Sequence, residues 1–216
     1  TKYIKKAEVG KDVIVHVPEW NYEELKVSKQ LKTNILNHKY VHPTPIQEKA
    51  ILPILEGKDF LGVANTGTGK TAAFLIPLVE KVLADRSKKV LIVVPTRELA
   101  AQINDELFVL TKNLGIFSVQ CIGGANISGQ INGMRRGFNF IVGTPGRLND
   151  LIQRRVLNLS TFSAVVLDEV DRMLDMGFVD EIKDLIKQLP ESRQSLFFSA
   201  TMNVKVEKIM ELILKH

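Results

Sequence analysis

The sequence predicts an α/β domain with a doubly wound, mostly parallel sheet flanked by helices. Three observations carry that prediction. Short apolar runs alternate with longer amphipathic segments along the chain, the pattern of repeated strand–helix units. Ala164, Val165, Val166 and Leu167 form a continuous apolar run, as a strand covered by helices on both faces should. A loop containing Gly67 and Gly69 lies between an apolar run and a helix-periodic one, the setting of a phosphate-cradling loop. Right-handed crossovers between such units wind the sheet in both directions.

The elements follow in order. Residues 1–20 have no clear periodicity and are expected to be an arm or linker; the domain proper is expected at 21–216. Helical periodicity begins at 22–37 and resumes at 45–55, where Pro45 opens the segment. A strand at 60–64 leads through the glycine loop into a helix at 70–83. A second strand at 90–94 is followed by Thr96 and a helix at 97–113. Strands at 118–121 and 140–143 enclose a helix at 128–136. Thr144 and Pro145 then introduce a helix at 147–154, with Pro145 at a favourable first helical position. The buried strand at 165–168, a helix at 179–189, a strand at 195–199 and a helix at 204–214 complete the series.

The loop Ala64-Asn65-Thr66-Gly67-Thr68-Gly69-Lys70-Thr71 has a definite chemistry. Its glycines let successive amides turn toward one anion, and the helix N-terminus behind them adds partial positive charge. Lys70 can then reach the β- and γ-phosphates, and the Thr71 hydroxyl can sit on Mg²⁺. Ala64 replaces the first glycine of the general pattern. Far downstream, Asp168 and Glu169 emerge at the carboxyl end of the apolar strand, where open α/β sheets place their ligands. Asp168 would hold the Mg²⁺ shell, and Glu169 would orient and deprotonate an attacking water. A solvated acidic turn capping the next helix is the plainer alternative. The two motifs together point to nucleoside triphosphate chemistry, with ATP and Mg²⁺ as the expected ligands.

Composition sets the bounds. The 216 residues suffice for one large α/β domain with a substantial core. Hydrophobic content is 45% and mean hydropathy +0.04, ordinary for a globular protein, and no apolar run approaches a membrane span. The single Cys121 cannot form an internal disulfide and lies in no metal-ligand spacing. No structural metal, no membrane and a cytoplasmic location are therefore expected. A net charge of +5 favours a polyanionic partner without identifying one.

The ordered motifs resemble the DEAD-box RNA helicase family, in its first RecA-like domain. The resemblance runs from Tyr22 to Thr201 and rests on seven segments. These are Tyr40 to Gln47, the phosphate loop, Pro95 to Ala100, Gly123-Gly124, Thr144-Pro145-Gly146-Arg147, Asp168-Glu169-Val170-Asp171 and Ser199-Ala200-Thr201. It implies an RNA-dependent ATPase that separates short duplexes locally. Gln47, with Thr44 beside it, would read the adenine edge, and Tyr22, at the family's upstream aromatic position, would stack on the base. On their own, 44–47 read as a turn entering a helix and Tyr22 as core.

The family's RNA contacts would fall on Pro95, Thr96, Arg97, Gly123, Gly124, Thr144, Pro145, Gly146 and Arg147, gripping the backbone without reading sequence; the residues themselves show phosphate-compatible helix starts. Asp171, Ser199 and Thr201 would couple hydrolysis to RNA. Two positions depart from the family: Val170 replaces an alanine, and Lys39 stands where glycine is usual. The resemblance also implies a second RecA-like domain carrying arginine fingers as a partner, so that this chain is expected to be a half-site with weak activity alone. A DNA-directed helicase and a non-catalytic nucleotide-binding module are the rival expectations.

Overall fold

A computed structural model of the protein describes residues 17–214. Among them, six strands form one sheet: β1 (Phe60–Val63), β2 (Val90–Val93), β3 (Ser118–Cys121), β4 (Phe140–Gly143), β5 (Ala164–Leu167) and β6 (Gln194–Ser199). Their spatial order is β1-β6-β5-β2-β4-β3, and every neighbouring pair is parallel. Alternate side chains of a strand point to opposite faces, so each central strand feeds two cores. Val90, Ile92 and Val94 pack with Phe140, Val142, Val166 and Phe198 under α1 (Lys29–Asn37), α2 (Pro45–Leu55), α3 (Lys70–Ala84) and α4 (Arg97–Leu110). Leu91 and Val93 join Ile141, Val165, Leu167 and Phe197 on the other face. That face is covered by α5 (Ile127–Arg135), α6 (Pro145–Gln153), α7 (Val170–Asp175), α8 (Val179–Gln188) and α9 (Val204–Ile213). The doubly wound sheet expected from the sequence is present and parallel throughout.

The differences from expectation are local. The helix expected from residue 22 begins only at Lys29. Asn21 Oδ1 accepts from the Glu23 and Glu24 amides, a side-chain turn that competes with helix. Ser28 then donates its amide to Glu80 Oε2 at 3.0 Å, tying the helix start to α3. The helix α7 was not expected; at six residues it is too short to show a period. A 3₁₀ turn, Leu159–Thr161, was also unexpected. Ala64, Val94 and Asp168, expected as strand ends, keep one ladder bond each through their amides, to Ser199, Gly143 and Val93, before the chain turns away. Most of the expected arm, residues 1–16, lies outside the described residues. Trp20, also assigned to the arm, packs edge-on against Tyr22 with ring centroids 5.4 Å apart.

Lys39 has a distinct role at the end of α1. It is in the left-handed region at φ +62. Its amide donates to Leu36 O at 2.9 Å, and the Tyr40 amide donates to Ile35 O at 3.4 Å. These crossed bonds are a Schellman end, whose left-handed residue is usually glycine.

Candidate functional site

All six strands run in one direction, so the loops at their carboxyl ends gather on one edge of the sheet. The phosphate loop is one of them. Gly67 and Gly69 have φ of +82 and +90, conformations costly for any residue with a Cβ. The loop is suspended from the start of α2. Thr44 Oγ1 donates to Thr68 O at 2.8 Å, and Gln47 Nε2 donates to Gly69 O at 3.1 Å. A Cβ on Gly69 would lie 2.6 Å from Gln47 Nε2. Gln47 is itself pinned, its Oε1 accepting from the Thr44 amide at 2.9 Å and the Tyr22 hydroxyl at 2.8 Å.

The structure therefore corrects the expectation for Tyr22. Its side chain is fully buried and packs on Tyr40 with centroids 5.6 Å apart, so it has no face for a base. It orients Gln47 instead. The aromatic that lines the cavity is Tyr40, together with Gln47, Gln102, Glu106 and the phosphate loop around a space of about 440 Å³. The Tyr40 hydroxyl donates to Glu106 Oε1 at 2.7 Å; burial raises the affinity of both groups for their protons. Gln102 and Glu106 are one turn apart on α4, a helical spacing whose destination the sequence alone did not reveal.

Lys70 and Asp168 meet at the floor of this cavity. Lys70 Nζ donates to Ala64 O at 3.0 Å and lies 3.7 Å from Asp168 Oδ1. Asp168 is 2% exposed. Burial pushes its carboxyl up to about 6, with Lys70 opposing and the Glu169 charge adding to the rise. Glu169 is in the left-handed region at φ 53, ψ 49, at the position immediately before α7. Its carboxylate accepts from Thr66 Oγ1 and from Arg172 Nη1, each at 3.2 Å. A left-handed non-glycine residue at such a point stores about 1 kcal/mol or more of strain. A buried carboxylate compensated by one cation at 3.7 Å, with the Thr71 hydroxyl lining the same cavity, is a hard oxygen donor set that fits Mg²⁺.

The remaining motifs build a groove of about 560 Å³ lined by Pro95, Thr96, Arg97, Gly123, Thr144, Gly146 and Arg147. Thr96 caps α4, its Oγ1 accepting from the Leu99 amide at 3.2 Å, and Thr144 stands at the start of α6. Gly124, at φ +75, lies directly against the Arg97 guanidinium. Pro145 is buried and opens α6 without lining the groove. The guanidinium of Arg147 is partly engaged inside the protein, donating to Ala125 O at 3.2 Å and Gln130 Oε1 at 3.0 Å. Glu98, Asp150, Met176 and Phe178 also line this groove and were missed from sequence.

Asp171 joins the acidic loop to the end of β6. Its Oδ2 accepts from the Thr201 amide at 3.0 Å and the Thr201 hydroxyl at 3.1 Å. Its own amide donates to Ser199 Oγ at 3.3 Å, and Ser199 Oγ donates to Thr201 O at 2.8 Å. Burial works to raise the Asp171 carboxyl, but these bonds outweigh it and hold it below the ordinary range. Val170 is fully buried in the second core, so the extra bulk is absorbed by packing.

The profile of the family described as DEAD/DEAH box helicase matches residues 44–209. The chain is 44% identical over 189 residues to the DEAD-box ATP-dependent RNA helicase CshA of Streptococcus pneumoniae, covering 87% of this chain and 36% of that protein. It is 42% identical over 191 residues to the ATP-dependent RNA helicase CshA of Listeria monocytogenes, covering 88% and 37%. A crystal structure of a DEAD box protein from the hyperthermophile Methanococcus jannaschii superposes with a TM-score of 0.85 at 36% identity, covering 90% of this chain and 53% of that one. The chain thus spans a little over a third of the length of these bacterial relatives. No helix among the described residues is long and apolar enough to cross a membrane. With its profile match, its parallel RecA-like sheet and its phosphate loop facing an acidic pair, the chain belongs to the DEAD/DEAH box helicase family.

Proposed function

We propose that this domain is the ATP-binding half of an RNA-dependent ATPase that separates short RNA duplexes or remodels RNA–protein complexes, acting in the cytoplasm. The observation that carries the proposal is the shared edge of the sheet. Residues that line the Lys70–Asp168–Glu169 cavity and the Thr96–Arg97–Thr144 groove follow the carboxyl ends of β1, β5, β2 and β4, and Asp171 ties the acidic loop to Ser199 and Thr201. The loop amides of 66–70 and Lys70 hold the triphosphate. Thr71 and Asp168 hold Mg²⁺, which when bound neutralises charge on the β- and γ-phosphates. Glu169, fixed by Thr66 and Arg172, accepts a proton from the attacking water. Tyr40 provides the wall for the base. Gln47 offers its second amide hydrogen to the adenine edge, the first being used on Gly69. The groove takes the sugar–phosphate backbone through helix N-termini and Arg97. A second RecA-like domain completes the active site with arginine fingers.

Fluorescent-nucleotide titration together with steady-state ATP hydrolysis by this chain, with and without single-stranded RNA and with Lys70→Ala as background, tests the proposal. Nucleotide binding abolished by Lys70→Ala, with turnover that RNA does not raise, is the expected result for half a site. RNA stimulation abolished by Lys70→Ala would show the domain to be complete alone. Failure to bind ATP at millimolar concentration would overturn the assignment of the cavity.

A further inference from the structure

The groove is not polar all round. One wall is Met176 and Phe178, on the turn between α7 and α8. Met176 leaves 49% of its surface open, whereas Met173, one helical turn earlier, is fully buried. The turn is fixed by its backbone. Gly177, at φ +88, donates to Leu174 O at 3.1 Å, and Phe178 donates to Met173 O at 3.0 Å, a second Schellman end. A thioether on a hydrogen-bonded turn, lining the same groove as Arg97, suits a polymer with one charged edge and apolar faces. The phosphate edge of such a strand would meet Arg97, and its ribose and base faces would meet sulfur and ring. Methionine adapts its shape to any base, which agrees with a grip that reads no sequence.

The same turn is joined to the catalytic loop. Only six residues of α7 separate them, about 9 Å of helix. Met173 is the link: its amide donates to Glu169 O at 3.0 Å, and its carbonyl accepts from the Phe178 amide. Val170 and Met173 anchor the helix in the core. We propose that Met176 is a strand-contact residue, and that α7 carries strand occupancy from this turn to the backbone of Glu169. The inference rests on the groove being the RNA site. It adds a contact residue and a second connection to the acidic loop, separate from the one through Ser199 and Thr201.

The test is a titration of this chain, labelled with ¹³C at methionine methyls and ¹⁵N at backbone amides, with a short oligouridylate. The Met176 methyl is expected to shift with the same saturation as the Gly123 and Gly146 amides, and the Glu169 and Val170 amides to move with them. Met176→Ala should weaken the oligonucleotide roughly fivefold. At saturation it should remove the Glu169 response while leaving those of Gly123 and Gly146, and Met176→Leu should restore it. A still Met176 methyl beside moving glycines overturns this inference and leaves the RNA groove intact. Glycines that do not move overturn the RNA groove itself. A Glu169 response that survives in Met176→Ala removes α7 as the connection.

Discussion

Replacing Lys39 by glycine should stabilise the domain. Lys39 occupies the left-handed position of the Schellman end of α1, at φ +62, where its Cβ crowds its own backbone. An L-residue there costs about 1–2 kcal/mol. Glycine removes that cost but loses about 0.5–1 kcal/mol through the greater freedom of its unfolded chain. The lysine side chain is exposed and pairs with no described carboxylate, so little else is lost. The net gain is about 0.5–1 kcal/mol, a rise of roughly 1–4 °C in the melting temperature for a domain of this size. Scanning calorimetry on wild type, Lys39→Gly and Lys39→Ala measures it. Lys39→Ala keeps the strained conformation and should stay within about 0.5 kcal/mol of wild type. If the glycine variant is no more stable than the alanine variant, the backbone strain argument is wrong. If both fall together, the lysine side chain contributes something the structure does not reveal.

Gly69→Ala should cost about 1–3 kcal/mol of stability and at least roughly tenfold in ATP affinity, read by chemical denaturation and fluorescent-nucleotide titration. The methyl would meet Gln47 Nε2, which three hydrogen bonds hold in place; unchanged affinity would sink that account. Lys81 should give a pH signature. Burial, helped by Lys88, lowers it from 10.5 to about 8, so between those values the unfolded chain binds more protons than the folded one. The contribution of Lys81 to stability then rises with pH through that window and carries its full penalty below it. Lys81→Met should lower the slope of stability against pH between about 8 and 9, below the range where the buried Cys121 thiol, pushed up from 9 to about 12, and the buried tyrosines act in the opposite sense. An identical slope in both proteins would mean that Lys81 is freely solvated.

Some of the site was legible because its residues are adjacent in the chain. The phosphate loop lies within 64–71, and the acidic pair follows one buried strand, so strand, turn and helix signals locate both without any long-range contact. The Asp171–Ser199–Thr201 cluster was also anticipated, through the family resemblance, and the distances bear out that contact. Tyr22 went the other way. The family resemblance implied a base contact for it, but burial against Tyr40 made it a support for Gln47, in line with the plainer reading of Tyr22 as core. Gln102, Glu106, Met176 and Phe178 carried no local sign, because each becomes a wall residue only when its helix or turn is docked.

The sequence by itself determined the layers and pointed to the chemistry proposed for the site. Periodicity separates strands from helices, and glycine with lysine at fixed spacing can cradle a phosphate wherever the strand sits. Only the tertiary structure decided which side chains face that chemistry. Strand order put β5 between β6 and β2, which brought Asp168 within 3.7 Å of Lys70 across nearly a hundred residues of sequence. The direction of α4 turned Glu106 toward Tyr40, and the docking of α7 brought Met176 into the groove that Arg97 lines. Those outcomes depend on how helices pack against a common sheet, a balance of long-range burial that no short window of sequence contains.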